Sequence, residues 1–249
     1  MKRNLFLISN STNAGEEYLG WIKNDIVDYC RQYGVKEALF IPYAGVNVGQ
    51  TFEGKTIKDS YDLYFDRVTS VLEQDGLRLR SIHKCDDPAV KHIENAECII
   101  VGGGNTFHLV YALHKLNLMS SIRERVLGGC PYIGWSAGAN IACPTMRTTN
   151  DMPVIEPKSL DTLGLVPFQI NPHYLDANPA GHGGETREDR IKEFLVVNPS
   201  VTVVGLREAT ALVVKNDDIK LTGSRPMRVF RYGTDPQELS AKDDLRIIL

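Results

Sequence analysis

The sequence has no stretch of about 18 consecutive apolar residues, the length a membrane-spanning helix needs, so no membrane span is expected. The apolar run after Met1-Lys2-Arg3 is only Leu5-Phe6-Leu7-Ile8. That is too short for the core of a signal peptide and reads instead as a first buried strand. There is no basic excess either. The formal charge is −3, whereas nucleic-acid-binding domains normally carry a clear positive surplus. Cysteine is sparse: Cys30, Cys85, Cys98, Cys130 and Cys143 are odd in number, widely spaced and without a C-x-x-C pair. This pattern argues against a disulfide scaffold and a zinc cage, and for free thiols in a reducing, cytoplasmic setting. No histidine and acidic cluster has metal-ligand spacing, so neither metal nor other cofactor is implied. Repeats, low-complexity tracts and linkers are missing too, and residues 1–249 read as a single domain.

What is present is the composition of an ordinary globular enzyme, with 43% hydrophobic and 24% charged residues. Short apolar runs alternate with helical patterns, the signature of an α/β fold with a mostly parallel sheet flanked by helices. Strands are expected at Leu5–Ser9, Ala38–Pro42, Leu77–Ile82, Cys98–Val101, Tyr132–Trp135 and Val201–Leu206. Helical spacing of apolar residues marks Glu16–Tyr33, Ser60–Gln74, Pro88–Asn95, Phe107–His114 and Ser120–Leu127. Towards the C-terminus, Ala211–Val214, Ile219–Leu221 and Met227–Phe230 are short strands separated by turn residues, which predicts a short antiparallel extension at the sheet edge. The region from Asn150 to Glu188 is rich in Pro, Asn and Gly with few helical signals, as functional loops often are.

The sharpest local motif is Gly134-Trp135-Ser136-Ala137-Gly138, a G-x-S-x-G sequence between an apolar strand and a short helical stretch. A nucleophilic serine needs its hydroxyl projected clear of the backbone, and a tight strand-to-helix turn does this. The same turn presents the Ala137 amide where negative charge develops. In isolation the motif is also compatible with a plain structural turn. A second glycine-rich element, Val101-Gly102-Gly103-Gly104-Asn105-Thr106, lies between another strand and helix. It is neither a P-loop nor a dinucleotide fingerprint. Amides of Gly104 and Ala137 together suit an oxyanion hole.

An activated serine needs a base, nearly always histidine. His83, His92, His108 and His114 lie upstream within strand or helix patterns, which leaves His173 and His182. His173, held behind Pro172 after an apolar run, is better positioned than His182, whose glycine neighbours would let it wander. The acidic partner has two candidates. Asp151 would give the chain order Ser, Asp, His, and Glu208 the order Ser, His, Glu. Glu208 follows an expected buried strand, at the kind of strand end where α/β active sites form, which favours it. Either residue read alone could equally be a solvated loop carboxylate.

These elements resemble the peptidase E family of aspartyl dipeptidases. The resemblance is carried by Ile99–Phe107, Tyr132–Asn140, Cys143-Pro144-Thr145, Arg147–Pro153, Gln169–His173 and Gly184–Glu188, in that order. It runs from the Ser9-Asn10-Ser11-Thr12 turn to about Glu208. It implies a fold similar to class I glutamine amidotransferases, with serine in place of their cysteine, and hydrolysis of small dipeptides with an N-terminal aspartate. By motif it makes Ser136 the nucleophile, His173 the base, and Gly104 and Ala137 the oxyanion hole, with both Asp151 and Glu208 matching acidic positions. Arg187 matches the family's substrate-binding motif, and a guanidinium suits a substrate carboxylate. Asn105 and Thr186 could donate further hydrogen bonds. Without the resemblance, Arg187 would read as a helix arginine pairing with Glu188 or Asp189. The sequence departs from the family pattern at Arg207 and Ala209 and between Gly45 and Ser60.

Other readings are an α/β-hydrolase esterase or lipase, a cyanophycinase-like peptidase, and a non-catalytic anion-binding module on the same fold. The first expects a catalytic histidine near the C-terminus, and none lies beyond His182. The expected partners are dipeptides alone, with no nucleic acid and no membrane; nothing in the sequence points to a particular oligomeric state.

Overall fold

The computed structural model describes residues 2–46, 56–85, 88–178, 181 and 183–249. Five strands make the parallel part of the larger sheet: β1 (Asn4–Ile8), β2 (Glu37–Ile41), β3 (Arg78–Ser81), β4 (Ile99–Val101) and β5 (Tyr132–Trp135). Two antiparallel strands, β8 (Thr210–Lys215) and β9 (Asp218–Gly223), extend it beyond β1, giving the order β3-β2-β4-β5-β1-β8-β9. A second sheet of four strands has the order β11-β10-β7-β6, with β6 (Gln169–Tyr174) parallel to β7 (Val203–Arg207). Its outer strands, β10 (Met227–Phe230) and β11 (Gln237–Leu239), run antiparallel.

The inner parallel strands are almost wholly apolar because both faces of the sheet are covered there, whereas the edge strand β3 alternates polar and buried residues. Alternate residues point to opposite sides. Leu5, Leu7, Ile99 and Val101 belong to one buried cluster with Ile93 of α3 (Ala89–Glu94), Leu109 and Leu113 of α4 (Thr106–Lys115) and Ile122 and Val126 of α5 (Met119–Leu127). Phe6, Ile8 and Ile100 belong to the other, with Ile26 of α1 (Lys23–Gln32) and Val68 and Leu72 of α2 (Ile57–Leu72). The first cluster also takes in Ile170, Val204 and Leu206, so the second sheet shares this core. Each fully buried Leu or Ile contributes about 1.5–3 kcal/mol of transfer free energy.

Three features differ from the sequence expectation. The helix expected over Glu16–Tyr33 begins only at Lys23. Leu19 has a left-handed backbone (φ 57°) and donates its amide to Ser11 O, while Trp21 Nε1 donates to Asn10 O. The segment thus wraps around the loop after β1 yet still buries Leu19 and Ile22. The second is the split into two sheets. Only β8 and β9 form the expected hairpin edge, and β10 pairs instead with β7. The turn at Gly223–Pro226, with Gly223 at φ 110° and a proline unable to donate, ends β9 and frees the chain to cross over. Strand β6, inside the loop-like Asn150–Glu188 region, was not expected at all.

Candidate active site

The site forms where the two sheets meet. Ser136 follows β5 and precedes the short helix α6 (Ala137–Asn140). Its backbone is at φ 53°, ψ −111°, a region that costs a non-glycine residue about 1–3 kcal/mol. Surrounding contacts hold it there. The Ser136 amide donates to Ile8 O at 3.0 Å, and Tyr132 Oη donates to Gly138 O at 2.6 Å. A Cβ on Gly134 would collide with the Gly138 carbonyl, and one on Gly138 with the Val101 carbonyl. The glycines of the motif are therefore demanded by packing as well as by the turn.

His173 reaches Ser136 from the other sheet. Between Pro172 and Tyr174 the pairing of β6 with β7 shifts by one residue, and His173 takes φ 53°. A bulge of this kind re-aims a side chain. Its amide, left out of the ladder, donates to Ser9 Oγ at 2.9 Å, and Ser9 Oγ donates to Leu206 O at 2.7 Å. The imidazole Nε2 lies 2.9 Å from Ser136 Oγ, and Nδ1 lies 2.8 Å from Glu208 Oε1. An ionised carboxylate only accepts, so Nδ1 carries the proton and Nε2 is left to accept from the serine hydroxyl. Glu208 sits in the tight turn from β7 to β8, whose other member, Ala209, has φ 59° and donates its amide to Asn10 Oδ1 at 2.9 Å. Arg207, just before it, is buried and pairs with both Asp176 and Glu238. Hydrogen bonds that the Arg207 guanidinium donates to Glu238 and Asp176 push its pKa further up, and the same arginine holds Asp176 below the usual carboxylate range.

Asp151 stands elsewhere. Its Oδ2 accepts from the Thr106 amide at 2.7 Å, from Thr106 Oγ1 at 2.5 Å and from Thr149 Oγ1 at 3.0 Å. It lines a cleft with Arg147, Asn150, Asn171, Arg187 and Arg190. Arg187 opens α7 (Arg187–Val197). Burial and the neighbouring Arg190 lower its pKa, opposed by the charge of Asp151. The carboxylates next to Arg187 in sequence are engaged otherwise: Glu188 with Lys192 (2.7 Å) and Arg228 (2.8 Å), Asp189 with Thr186.

The Gly-rich turn packs against the elbow. A Cβ on Gly103 would come within 2.9 Å of Ser136 Cβ, and Gly104, at φ 132°, leaves no room for one against the Ala44 carbonyl. Ala137 is the first residue of α6, so its amide has no acceptor within that helix. Asn105 caps α4: Oδ1 accepts from the His108 amide (3.0 Å) and Nδ2 donates to Met152 O (2.8 Å). Thr186, read from the sequence as a further donor to substrate, caps α7, and its hydroxyl donates a hydrogen bond to Asp189 Oδ2 at 2.7 Å, because a helix start leaves amides that a capping box satisfies. The rejected base candidate His182, and residues 47–55 of the stretch that departs from the family pattern, lie outside the described residues.

Ser9, Asn10, Thr106 and Thr149 were not singled out by the sequence reading. Their one local signal is position, since Ser9 and Asn10 follow β1 and Thr106 follows the Gly-rich turn, all at the carboxyl ends of parallel strands.

Residues 5–222 match peptidase family S51. The chain belongs to this family. It is 45% identical over its full length to peptidase E of Nostoc sp., covering 98% of that protein. Against peptidase E of Streptomyces coelicolor it is 44% identical over 99% of this chain and 95% of the relative. The crystal structure of a peptidase from an acI-B1 Actinobacterium superposes with a TM-score of 0.67 at 19% identity, covering 98% of this chain and 96% of that one, which speaks for the fold alone. The S51 fold is thus an α/β arrangement of a mostly parallel sheet with antiparallel C-terminal strands, and among the described residues no helix is long and apolar enough to cross a membrane.

Proposed function

We propose that the chain is a serine peptidase that hydrolyses dipeptides beginning with aspartate, with Ser136 as nucleophile, His173 as general base and Glu208 as the acidic member. The observation that carries this is the unbroken hydrogen-bonded series from Ser136 Oγ through His173 to Glu208, and an arginine-lined cleft reaches Asn171, on the same strand as His173. The 44–45% identity to proteins named peptidase E supports the substrate class.

In this reading His173 Nε2 takes the Ser136 proton as Oγ attacks the carbonyl carbon of the aspartyl residue. The amides of Gly104 and Ala137 stabilise the oxyanion. Collapse expels the amine of the second residue, protonated by His173, and leaves an aspartyl ester on Ser136. Water, deprotonated by the same imidazole, then releases free aspartate. Glu208 holds the imidazole tautomer and balances its charge. Arg187, free of ion pairs among the described residues, takes the substrate side-chain carboxylate.

The test is steady-state hydrolysis of Asp-Leu, Glu-Leu, Asn-Leu and Ala-Leu by the wild type, Ser136→Ala and Arg187→Met. Hydrolysis confined to Asp-Leu, lost with Ser136→Ala and greatly reduced with Arg187→Met, is the expected result. Labelling of Ser136 by a fluorophosphonate without hydrolysis of any dipeptide would keep a serine hydrolase and discard the aspartyl specificity.

A further inference from the structure

Helix α2 carries a phenol into the back of the two catalytic turns. Tyr64 is 3% exposed, in the cluster that includes Phe40, Ile100 and Trp135. A phenylalanine would bury the same ring, and a hydroxyl costs free energy to bury unless it is hydrogen-bonded. Here it meets two N–H groups. Trp135 Nε1 donates to Tyr64 Oη at 2.9 Å, and the backbone amide of Gly103 hydrogen-bonds the same oxygen. Tyr18 Oη lies 3.3 Å away as a third partner. Burial pushes the Tyr64 phenol up to about 12, so it stays neutral at any pH where a histidine base works.

The two N–H groups flank the nucleophile. Trp135 ends β5 just before Ser136, and a Cβ on Gly103 would meet Ser136 Cβ at 2.9 Å and Trp135 Cδ1 at 3.0 Å. The residue after Gly103 is Gly104, whose amide serves the oxyanion in the mechanism above. The ring is held as closely as the hydroxyl. A Cβ on Gly102 would lie 2.5 Å from Tyr64 Oη, and one on Gly45 would collide with the ring. Gly45 follows Ala44, whose carbonyl accepts from the Asn105 amide at 2.8 Å. Phe40 meets the Tyr64 ring edge-on at 5.3 Å and stacks on Trp135 at 6.1 Å. One side chain of α2 thus touches the end of β5, the Gly-rich turn and the segment on which that turn rests.

From this geometry we infer that Tyr64 is a positioning residue for catalysis, whose hydroxyl ties the Gly-rich turn to the nucleophile elbow and so sets the oxyanion amide relative to Ser136 Oγ. It acts through Gly103 and Trp135 and touches neither substrate nor the reacting atoms. The inference rests on the serine-peptidase reading above, with Gly104 as an oxyanion donor. An oxyanion exists only after attack, so a turn that drifts from the elbow weakens the transition state and leaves substrate binding alone.

The experiment compares the wild type, Tyr64→Phe, Trp135→Phe and the double variant in Asp-Leu hydrolysis, in the rate of Ser136 labelling by a fluorophosphonate, and in urea unfolding. Tyr64→Phe keeps the ring and removes one oxygen. Its kcat should fall by about 10–100-fold, less than most outright losses of an oxyanion donor, with KM within about twofold of the wild type. Labelling should slow in parallel, because the phosphoryl oxygen enters the same hole. Trp135→Phe cuts the tie from the elbow side and gives a second reading should Tyr64→Phe not fold; its kcat should fall in the same sense. Losses in the double variant should be less than additive, as for two ends of one hydrogen bond. Wild-type kcat and labelling in a folded Tyr64→Phe, or a loss confined to stability or to KM, would overturn the assignment. In a wild type that labels without hydrolysing Asp-Leu, the aspartyl reading fails, and slower labelling of Tyr64→Phe still supports the inference. A wild type that does not label at Ser136 would overturn the serine-peptidase reading, and this inference with it.

Discussion

Glu208 Oε1 meets His173 Nδ1 at 2.8 Å although the two residues are 35 positions apart, His173 on β6 and Glu208 just past the end of the neighbouring β7 in the smaller sheet, while Ser136 follows a strand of the larger one. The contact depends on the bulge at His173, which turns its side chain towards the seam between the sheets, and on the turn at Glu208 and Ala209, by which the chain crosses that seam. Ser9 and Asn10, at the end of β1, hold both pieces by side-chain hydrogen bonds to the backbone.

Glu208→Gln should leave the fold intact but favour the wrong imidazole tautomer, because an amide can donate to Nδ1 as well as accept from it. The expected loss in kcat is about 10³–10⁴-fold, as for the acid of other serine triads. Stopped-assay hydrolysis of Asp-Leu together with the rate of fluorophosphonate labelling checks this. Labelling at the wild-type rate would remove Glu208 from the catalytic machinery.

Ser9→Ala takes away the acceptor for the His173 amide and the donor to Leu206 O. A buried amide left without a partner costs about 1–3 kcal/mol, so the urea midpoint should fall accordingly. Turnover should fall more than substrate affinity, because the loosened group is the bulge that aims the imidazole. A drop in stability with kcat untouched would show that Ser9 serves the fold alone.

Gly104→Ala places a methyl group against the Ala44 carbonyl at a residue whose φ of 132° disfavours any side chain. The turn must shift, and its amide with it. Loss of one oxyanion donor typically costs about 10²–10³-fold in kcat. Steady-state kinetics alongside thermal unfolding separates this from general destabilisation, and full turnover in a folded variant would exclude the Gly104 amide from the oxyanion hole.

The Arg207–Asp176 pair makes stability depend on acid. Asp176 is held below its ordinary value of 3.8 by hydrogen bonding to Arg207. Its stabilisation is therefore present above that value and is lost as pH falls through the lower, folded-state pKa. Unfolding midpoints measured from about pH 5 down to about pH 2 should decline less steeply for Asp176→Asn than for the wild type. Asp176 is about half exposed, so solvent screening keeps the effect modest. Parallel curves for the two proteins would show that this pair contributes nothing to acid sensitivity.

Much of the frame was readable along the chain. Tyr132–Trp135 is a strand at the expected bounds, and the helix expected over Phe107–His114 differs by one residue at each end. Both lie in segments where apolar pattern, glycine and propensity agree. Strand β6 escaped because Gln169-Ile170-Asn171-Pro172-His173 carries polar groups and a proline that a buried strand normally avoids. Several of those polar groups find distant partners, as when Asn171 Nδ2 donates to Thr148 O and Asn150 Nδ2 to Pro172 O, while Gln169 Oε1 and Asn171 Oδ1 are buried without a partner among the described residues. The start of α1 was misplaced for a similar reason, since helical spacing of Leu19 and Ile22 records burial and says nothing of the path that achieves it.

The sequence alone determined the α/β class, the elbow at Ser136, the glycine-rich turn at Gly104 and the family, because each is written in local patterns, single turns for the two glycine motifs and short runs repeated along the chain for the class and the family. Only the tertiary structure decided that Glu208 and not Asp151 stands at His173, that Thr186 is spent on a helix cap, and that β10 leaves the hairpin for the second sheet. Those outcomes depend on which distant donors and acceptors arrive within about 3 Å of one another, a length scale that residue order constrains only through the whole fold.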